Sequence, residues 1–379
     1  MKLEKLKVAI VCDWLTESAG GAEQVLLAVH EVFPKAPIYT SQYRPKRAVW
    51  FNKCDVRTGW VNIFPRQIRK FISPLRAVYF SHLDLSGYDL VISVANAEAK
   101  GVKTRGKHGQ ALHVSYLQGP PTQYYWGMYD EYLKNPGFGK FNWLARVGLK
   151  LLIGSLRKVD YKFAQKPDYL LANSNYVKDE IRKTYQRDAQ VLFPPVESLQ
   201  PSVSGKRHGF VTAGRQVSWK RVDLAIKACL KTGDDLLVIG NGPEHDKLVA
   251  LARGHGNIEF LPAYNGSTAI AKHLSAAAGF IFPSLEPFGI VPVEALSTGT
   301  PVIAYGKGGA LDYIQAGKNG ILFDSQTVDS LTRALQKSRK IKFDYKAIAA
   351  TARPFATTEF KHHLVDYLMG YLKNYDQKR

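Results

Sequence analysis

Ile281-Phe282-Pro283-Ser284-Leu285-Glu286-Pro287-Phe288-Gly289-Ile290-Val291-Pro292-Val293-Glu294-Ala295-Leu296 is the stretch whose order of residue types decides an architecture. The apolar run Gly279 to Phe282 ahead of it has the length of a buried strand. Behind it, Ser297-Thr298-Gly299-Thr300-Pro301 stops a helix, and Val302-Ile303-Ala304-Tyr305 begins another buried strand. Strand, loop, short helix and strand make one parallel crossover unit. Pro292 is tolerated in the first turn of that helix, where its missing N–H has no partner to lose. Gly289 lets the backbone approach a ligand just before the helix N-terminus, where unpaired N–H groups and the dipole favour an anion. Glu286 in the loop and Glu294 on the helix bracket that position, and carboxylates accept from hydroxyl groups rather than from an anion. A ligand with a charged end and many hydroxyls beside it is a nucleotide-sugar.

Composition sets the outer bounds. A chain of 379 residues is long enough for two domains of ordinary size, each burying its own core. Hydrophobic residues at 45% make it globular rather than disordered. No apolar run reaches the roughly 18 residues a spanning helix needs. Met1-Lys2-Leu3-Glu4-Lys5-Leu6-Lys7 leads into a strand rather than a signal-peptide core. Cys12, Cys54 and Cys229 are too scattered for a metal or disulfide framework, and a reducing cytoplasm is expected. The 52 Lys and Arg against 32 Asp and Glu leave a net charge of +20, which implies a polyanionic neighbour: nucleic acid, an anionic bilayer or a phosphorylated substrate.

Val8 to Trp14 opens the chain as a buried strand, followed by a loop to Gly20 and a helix from Gly21 to Val29. Gly20 and Gly21 between strand and helix invite a phosphate, although the spacing is not that of a dinucleotide fingerprint, and a tight turn is the alternative. From Phe64 to Leu83 the sequence is basic and apolar together, with Ser73-Pro74 restarting a helix and Arg66, Arg69, Lys70 and Arg76 interspersed. Such a segment is either a membrane-surface contact or a solvated helix packed on its own domain. Tyr88 to Ser93 is another buried strand, and His113 belongs to the strand that leads to Gln118. The run Phe138 to Gln165 is apolar all round on a helical projection, which argues for a buried connection.

Asp168 to Ser174 is a strand ending at a helix N-cap, and Val191 to Val196 closes the first half. Phe210 to Arg215 is a strand running into a loop, with Lys220 at the start of the next helix. Arg215 and Lys220 therefore sit at the ligand-binding edge of an open α/β sheet, and a guanidinium fork with a point charge suits a diphosphate. Leu236 to Ile239 followed by Gly240-Asn241-Gly242 is a strand and glycine loop, and Ile258 to Leu261 adds a strand. From Thr357 to Lys373, Phe360, Leu364, Leu368 and Leu372 form a regular helical stripe. His362 and His363 are adjacent, so they are expected on different faces and not as a metal pair, and no Asp-x-Asp occurs.

Glu286 and Glu294 with seven residues between them, set in Pro-Phe-Gly-Ile-Val-Pro-Val and followed by Gly-Thr-Pro-Val-Ile-Ala, resemble the E-x7-E signature of retaining glycosyltransferases with the GT-B fold. Specifically, the chain resembles glycosyltransferase family 4 (group 1), in its mannosyltransferase-like branch. The resemblance implies an α/β fold of two doubly wound parallel-sheet (Rossmann-like) domains facing a cleft. Residues 1–196 would form the acceptor-side domain, 197–209 a linker and 210–356 the nucleotide-sugar domain, with the helix of 357–379 crossing back to the first domain. By the same resemblance, Arg215 and Lys220 stabilise a leaving diphosphate. Glu286 with the backbone of Phe288, Gly289 and Ile290 holds the donor sugar, and Glu294 the ribose hydroxyls. Gly240 and Asn241 line the base pocket, and the loop of Gly20 and Gly21 faces the donor. The segment His113 to Trp126 resembles the one that places a histidine near the donor sugar, but the matching position here is Gln118, which can hydrogen-bond a hydroxyl and cannot carry a proton.

The activity so implied is hexosyl transfer, with mannose from GDP-mannose as donor and UDP-sugars next. It would proceed with retention, without cofactor or metal, and onto a glycan or lipid-linked acceptor of cell-surface polysaccharide. A peripheral position at the inner membrane face would fit the charge. Two other classes stay open: a nucleotide-sugar or glycan-binding relative without catalysis, and a basic nucleic-acid-binding protein, which leaves the Glu286 to Glu294 stretch without a reason.

Overall fold

A computed structural model of the chain describes residues 3–17, 20–69, 71–122, 125–127, 129–134, 141–200, 207–263 and 269–377. The chain divides into two compact units: Met1–Pro194 with Phe360–Arg379, and Pro195–Glu359.

The first unit is built on a seven-stranded sheet. Its strands are β1 (Val8–Cys12), β2 (Ile38–Thr40), β3 (Val56–Arg57), β4 (Leu90–Ala95), β7 (Leu112–Leu117), β8 (Tyr169–Ala172) and β9 (Gln190–Val191), with a separate hairpin of β5 (Arg105–Gly106) and β6 (Gly109–Gln110). All neighbours in the order β3-β2-β1-β4-β7-β8-β9 are parallel. The central strands are buried along their whole length, which is why they are mostly apolar, with Ser93, His113 and Ser115 as buried polar exceptions. Helices α1 (Gly21–Val32), α2 (Ser73–His82), α3 (Tyr129–Lys134), α4 (Asn142–Ala164) and α5 (Asn175–Tyr185) belong to this unit. Ser174 caps α5, its Oγ accepting from the Val177 N–H at 3.1 Å.

The second unit repeats the plan with six parallel strands. They are β10 (Phe210–Ala213), β11 (Leu236–Ile239), β12 (Ile258–Leu261), β13 (Gly279–Phe282), β14 (Val302–Tyr305) and β15 (Gly320–Phe323), in the order β12-β11-β10-β13-β14-β15. Helices α6 (Val222–Thr232), α7 (His245–Ala252), α8 (Ala271–Ala276), α9 (Ile290–Ser297), α10 (Val328–Ser338) and α11 (Tyr345–Thr351) connect or cover them. In each sheet the strand order reverses once, between β1 and β4 and between β10 and β13, and a crevice opens there at the carboxyl ends of the strands. The chain ends in α12 (Thr357–Asp376), whose Phe360, Leu364, Leu368, Tyr371 and Leu372 are buried in the core of the first unit. Two Rossmann-like domains with parallel sheets are thus present, as the resemblance implies.

At the first reversal, Asp13 follows β1 and its buried carboxylate accepts from the backbone N–H groups of Asn96 (2.7 Å), Ala97 (2.9 Å) and Ala99 (2.8 Å) in the loop after β4. Burial and the neighbouring Glu98 push its pKa up, against the pull of those amides and Lys100.

Three expectations are corrected here. Phe64 to Leu83 is not a free basic face: Arg66 and Arg69 both bind Glu17, and Arg76 is 1% exposed and paired with buried Glu98 (2.9 Å). Lys70 lies outside the described residues. Only the α2 part of that segment is α-helical, with a short 3-10 turn at Arg66–Ile68 before it. Second, α4 is not a buried connection. Only its last turn is enclosed, through Asp160, Phe163 and Ala164. Third, His362 and His363 do come together. Their ring centroids are 5.7 Å apart, and with Asp366 their ligand atoms lie within 4.8 Å of one another. Two imidazoles on one helical turn are long enough to lean across the angle between adjacent positions.

His113 sits in β7, fully buried, with Nε2 against Ser93 Oγ at 2.9 Å and no partner for Nδ1 among the described residues. Burial lowers its pKa to about 3, with Lys166 and Arg187 adding to the effect. The folded chain therefore keeps it neutral, whereas the unfolded chain protonates it near pH 6.5. Stability is lost as pH falls through the unfolded value, at about 1.4 kcal/mol per unit, until pH reaches the folded value. His113→Gln removes that slope. Urea midpoints of the two proteins should converge between about pH 7.5 and about pH 5, and parallel midpoints would place the loss elsewhere.

Candidate active site at the second strand-order reversal

The loop after β10 begins at Gly214 and carries Arg215, then Gln216 and Val217, before a short 3-10 turn, Ser218–Lys220. The loop after β13 carries Ser284, Leu285 and Glu286. These are the two loops that flank the reversal, and Lys220 joins them. Its Nζ donates to Glu286 Oε1 at 2.5 Å, and the same oxygen accepts from Ser284 Oγ at 2.7 Å. Lys220 Nζ also lies about over Gly214, 4.0 Å from where a Cβ would stand. Both charged side chains keep access to solvent, 27% for Lys220 and 15% for Glu286. Arg215 is exposed, and no carboxylate among the described residues pairs with it.

Gly240 and Asn241 follow β11, and the chain there approaches the Arg215 loop as closely as backbone can. A Cβ on Gly240, which has φ +132°, would stand 2.1 Å from the Gly214 carbonyl oxygen. Gln216, fully buried, locks the two loops: its Nε2 donates to the Gly240 carbonyl at 3.0 Å and its Oε1 meets His245 Nδ1 at 2.7 Å. The Asn241 carbonyl accepts from the Gln216 N–H at 2.9 Å.

Gly289 is the N-cap of α9 at φ +95°, where a Cβ would meet the Phe282 ring at 2.7 Å. Helix α9 starts at Ile290 and takes Pro292 within its first turn, whose N–H groups have no partner inside the helix. The Phe288 ring is buried against Tyr313 and Phe355, and its carbonyl accepts from Tyr313 Oη at 3.0 Å. Of the Phe288–Ile290 backbone, the amides rather than the Phe288 carbonyl are therefore suited to a ligand. Glu294 lies farther along α9 and is 4% exposed, much less than Glu286. Gly308 and Gly309, after β14, press on this loop from the other side. Gly309 N–H donates to the Glu286 carbonyl at 2.9 Å, and a Cβ on Gly309 would stand 2.3 Å from Phe288 Cα.

Arg215, Lys220, Glu286, Phe288, Gly289, Ile290, Gly240 and Asn241 thus belong to one edge of one sheet. The candidates of the first unit make a second group. Gln118 Nε2 donates to the Ala22 carbonyl at 3.3 Å, in the first turn of the helix that Gly20 caps. The N-terminus of that helix is partly occupied by its own Glu23, a half-buried carboxylate that accepts from the Gly20 amide and whose pKa burial raises. Glu23 thus takes up part of the donor set at that helix start. Gln216, Ser284, Gly308, Gly309 and Tyr313 were missing from the sequence reading. The glycine pair after a buried strand was the one signal that could have found a member of this set.

Residues 199–353 match the family model described as Glycosyl transferases group 1, a span lying within the second unit. The chain is 27% identical over 207 residues to the GDP-mannose-dependent alpha-(1-6)-phosphatidylinositol monomannoside mannosyltransferase of Mycobacterium tuberculosis (strain CDC 1551 / Oshkosh), covering 50% of each. It thus spans about half the length of that curated relative. Among solved structures it is similar to the lipopolysaccharide outer core galactosyltransferase WaaB in its apo form, with TM-score 0.68, 18% identity, and 96% of this chain and 99% of that one covered. It is also similar to Anabaena Alr3699/HepE in complex with UDP and glucose, with TM-score 0.66, 16% identity, and 96% and 99% covered. The fold is that of the GT-B glycosyltransferases, and the matched segment supports a group 1 glycosyltransferase.

Proposed function

We propose that the chain is a retaining hexosyltransferase using a nucleotide-sugar, with GDP-mannose as the donor and a glycan or lipid-linked hydroxyl as acceptor. The observation that carries this reading is the Lys220–Glu286 contact across the strand-order reversal, with Arg215 in the same loop and the whole within the family-matched segment. A cation that already touches a carboxylate stands between the two kinds of group a nucleotide-sugar presents, phosphate on one side and sugar hydroxyls on the other. Arg215 and Lys220 bind the diphosphate and stabilise the negative charge that grows on it as the anomeric C–O bond breaks. Glu286 and the amides of Phe288, Gly289 and Ile290 position the sugar, Glu294 the ribose, and the Gly240-Asn241 loop the base. The acceptor oxygen forms the new bond, and its proton passes to the departing phosphate. No covalent enzyme intermediate is invoked. Two fixed cations supply the charge neutralisation that a metal would otherwise bring. The mannose assignment rests on the GDP-mannose-dependent mycobacterial relative.

Thermal shift against a panel of nucleotide-sugars tests the reading. GDP-mannose at about a hundred times its Kd should stabilise the fold by about 2.7 kcal/mol, and the same donor should be slowly hydrolysed without acceptor, equally fast in EDTA. A larger shift with a UDP-sugar would replace the donor. Activity lost in EDTA and restored by magnesium would remove the metal-free mechanism. No response to any nucleotide-sugar would sink the assignment itself.

A further inference from the structure

Helix α4 is anchored at one end only. Asp160 in its last turns accepts from Lys100, Thr122, Trp126 and Tyr185, all within 2.8 Å, and the Phe163 ring packs on Gly101 so closely that a Cβ there would stand 2.3 Å from it. Toward its start the helix leaves that support. Trp143, Leu144, Val147 and Leu151 are 63, 51, 47 and 77% exposed. At 100° per residue these four fall within a sector of about 100°, so they form one face. Leu75 and Val78 on α2 are exposed as well. The two helices are neighbours: Arg76 of α2 binds Glu98, Lys100 of the same short turn binds Asp160, and Arg157 Nε of α4 donates to the Tyr125 carbonyl while Tyr125 Oη meets Ser73. The first unit therefore presents an exposed apolar face at the start of α4, with two further exposed apolar residues on α2, unlike the singly scattered apolar residues of an ordinary surface.

The charges that the two helical segments themselves carry have one sign. From Phe138 to Val159 the sequence contains no Asp or Glu, nor does Phe64 to Leu83. Arg146, Lys150, Lys158 and Lys162 are exposed along α4. We propose that this face docks on a bilayer containing anionic phospholipid, with Trp143, Leu144, Val147 and Leu151 entering the headgroup–acyl boundary and the lysines remaining at the phosphates. A nucleic acid would match the charge but gives no reason for exposed leucine and valine, because its bases select stacking aromatics. A protein partner would match the apolar side chains but gives no reason for the absence of acid over both segments.

The full chain should sediment with vesicles of mixed phosphatidylcholine and phosphatidylglycerol at low salt, and weakly with phosphatidylcholine alone. Replacing Trp143, Leu144, Val147 and Leu151 together by serine should lower the bound fraction at least about tenfold while the melting temperature and nucleotide response stay as in the parent, since these side chains face solvent. Brominated lipid should quench the parent's tryptophan fluorescence, and Trp143→Phe should remove that quenching without releasing the protein. Binding that the four serines leave intact, or equal binding to neutral vesicles, overturns the proposal. So does a concentration-dependent dimer that the same serines abolish, which would make a second copy of the chain the occupant. Vesicle sedimentation and lipid quenching do not use the donor, so donor assignment and membrane docking fail separately.

Discussion

Lys220→Ala should lower the turnover of the proposed nucleotide-sugar donor about a hundred- to a thousandfold, the loss that follows when one preorganised donor is taken from a developing negative charge. On the proposed function the effect should fall mainly on turnover, because a cation at the diphosphate acts most when that group departs. Arg215→Ala acts earlier. It should weaken binding of the free nucleoside diphosphate about ten- to a hundredfold, the equivalent of one charge-assisted contact. Lys220→Arg restores only part of the rate, since a planar fork cannot reproduce a point charge that touches Glu286 Oε1 at 2.5 Å. Steady-state rates and calorimetric titrations distinguish these outcomes. Wild-type turnover in Lys220→Ala, with wild-type diphosphate affinity in both alanine variants, would remove the cation pair from the site.

The second large effect comes from a residue with no functional group. Gly309→Ala places a methyl 2.3 Å from both Phe288 Cα and the Pro287 carbonyl oxygen. Both are backbone atoms, so no rotamer change relieves the overlap, and the loop that holds Glu286 must shift. Overpacking of this kind costs about 1–3 kcal/mol or more, and the shift also moves the first-turn amides of α9. The expected result is a lower melting temperature together with loss of donor binding. Gly256→Ala, whose Cβ would meet nothing within 4 Å, is the control. Equal behaviour of the two variants would mean the loop tolerates movement that its packing argues against.

The parts legible in the sequence were those where local pattern and tertiary role coincide. β13, α9 and β14 could be read because a strand buried on both faces must be apolar throughout, and because Gly289 and Gly299 mark where the helix starts and stops. Arg215, Lys220 and Glu286 could be placed on one edge because loops at the carboxyl ends of parallel strands share an edge. Their direct contact could not, since the strand order that brings the loop after β10 beside the loop after β13 is a property of the whole sheet. The basic and apolar helices misled for a different reason. Arg76 became buried because Glu98, 22 residues along the chain, meets it, and nothing near Arg76 announces that carboxylate. Helix α4 has apolar residues on most of its circumference, and such a pattern does not say whether protein or something else covers them.

The two sheets reverse their strand order in the same manner, yet they are not equivalent as docking points. At the first reversal the amides of Asn96, Ala97 and Ala99 already converge on a negative group, the Asp13 carboxylate, which the chain carries with it. A phosphate arriving there would meet both filled donors and a like charge. At the second reversal the groups on offer include two cations, an exposed Arg215 and a Lys220 already in contact with Glu286. A repeated architecture is thereby made asymmetric by one side chain, and on the proposed function the nucleotide belongs to the second reversal rather than the first.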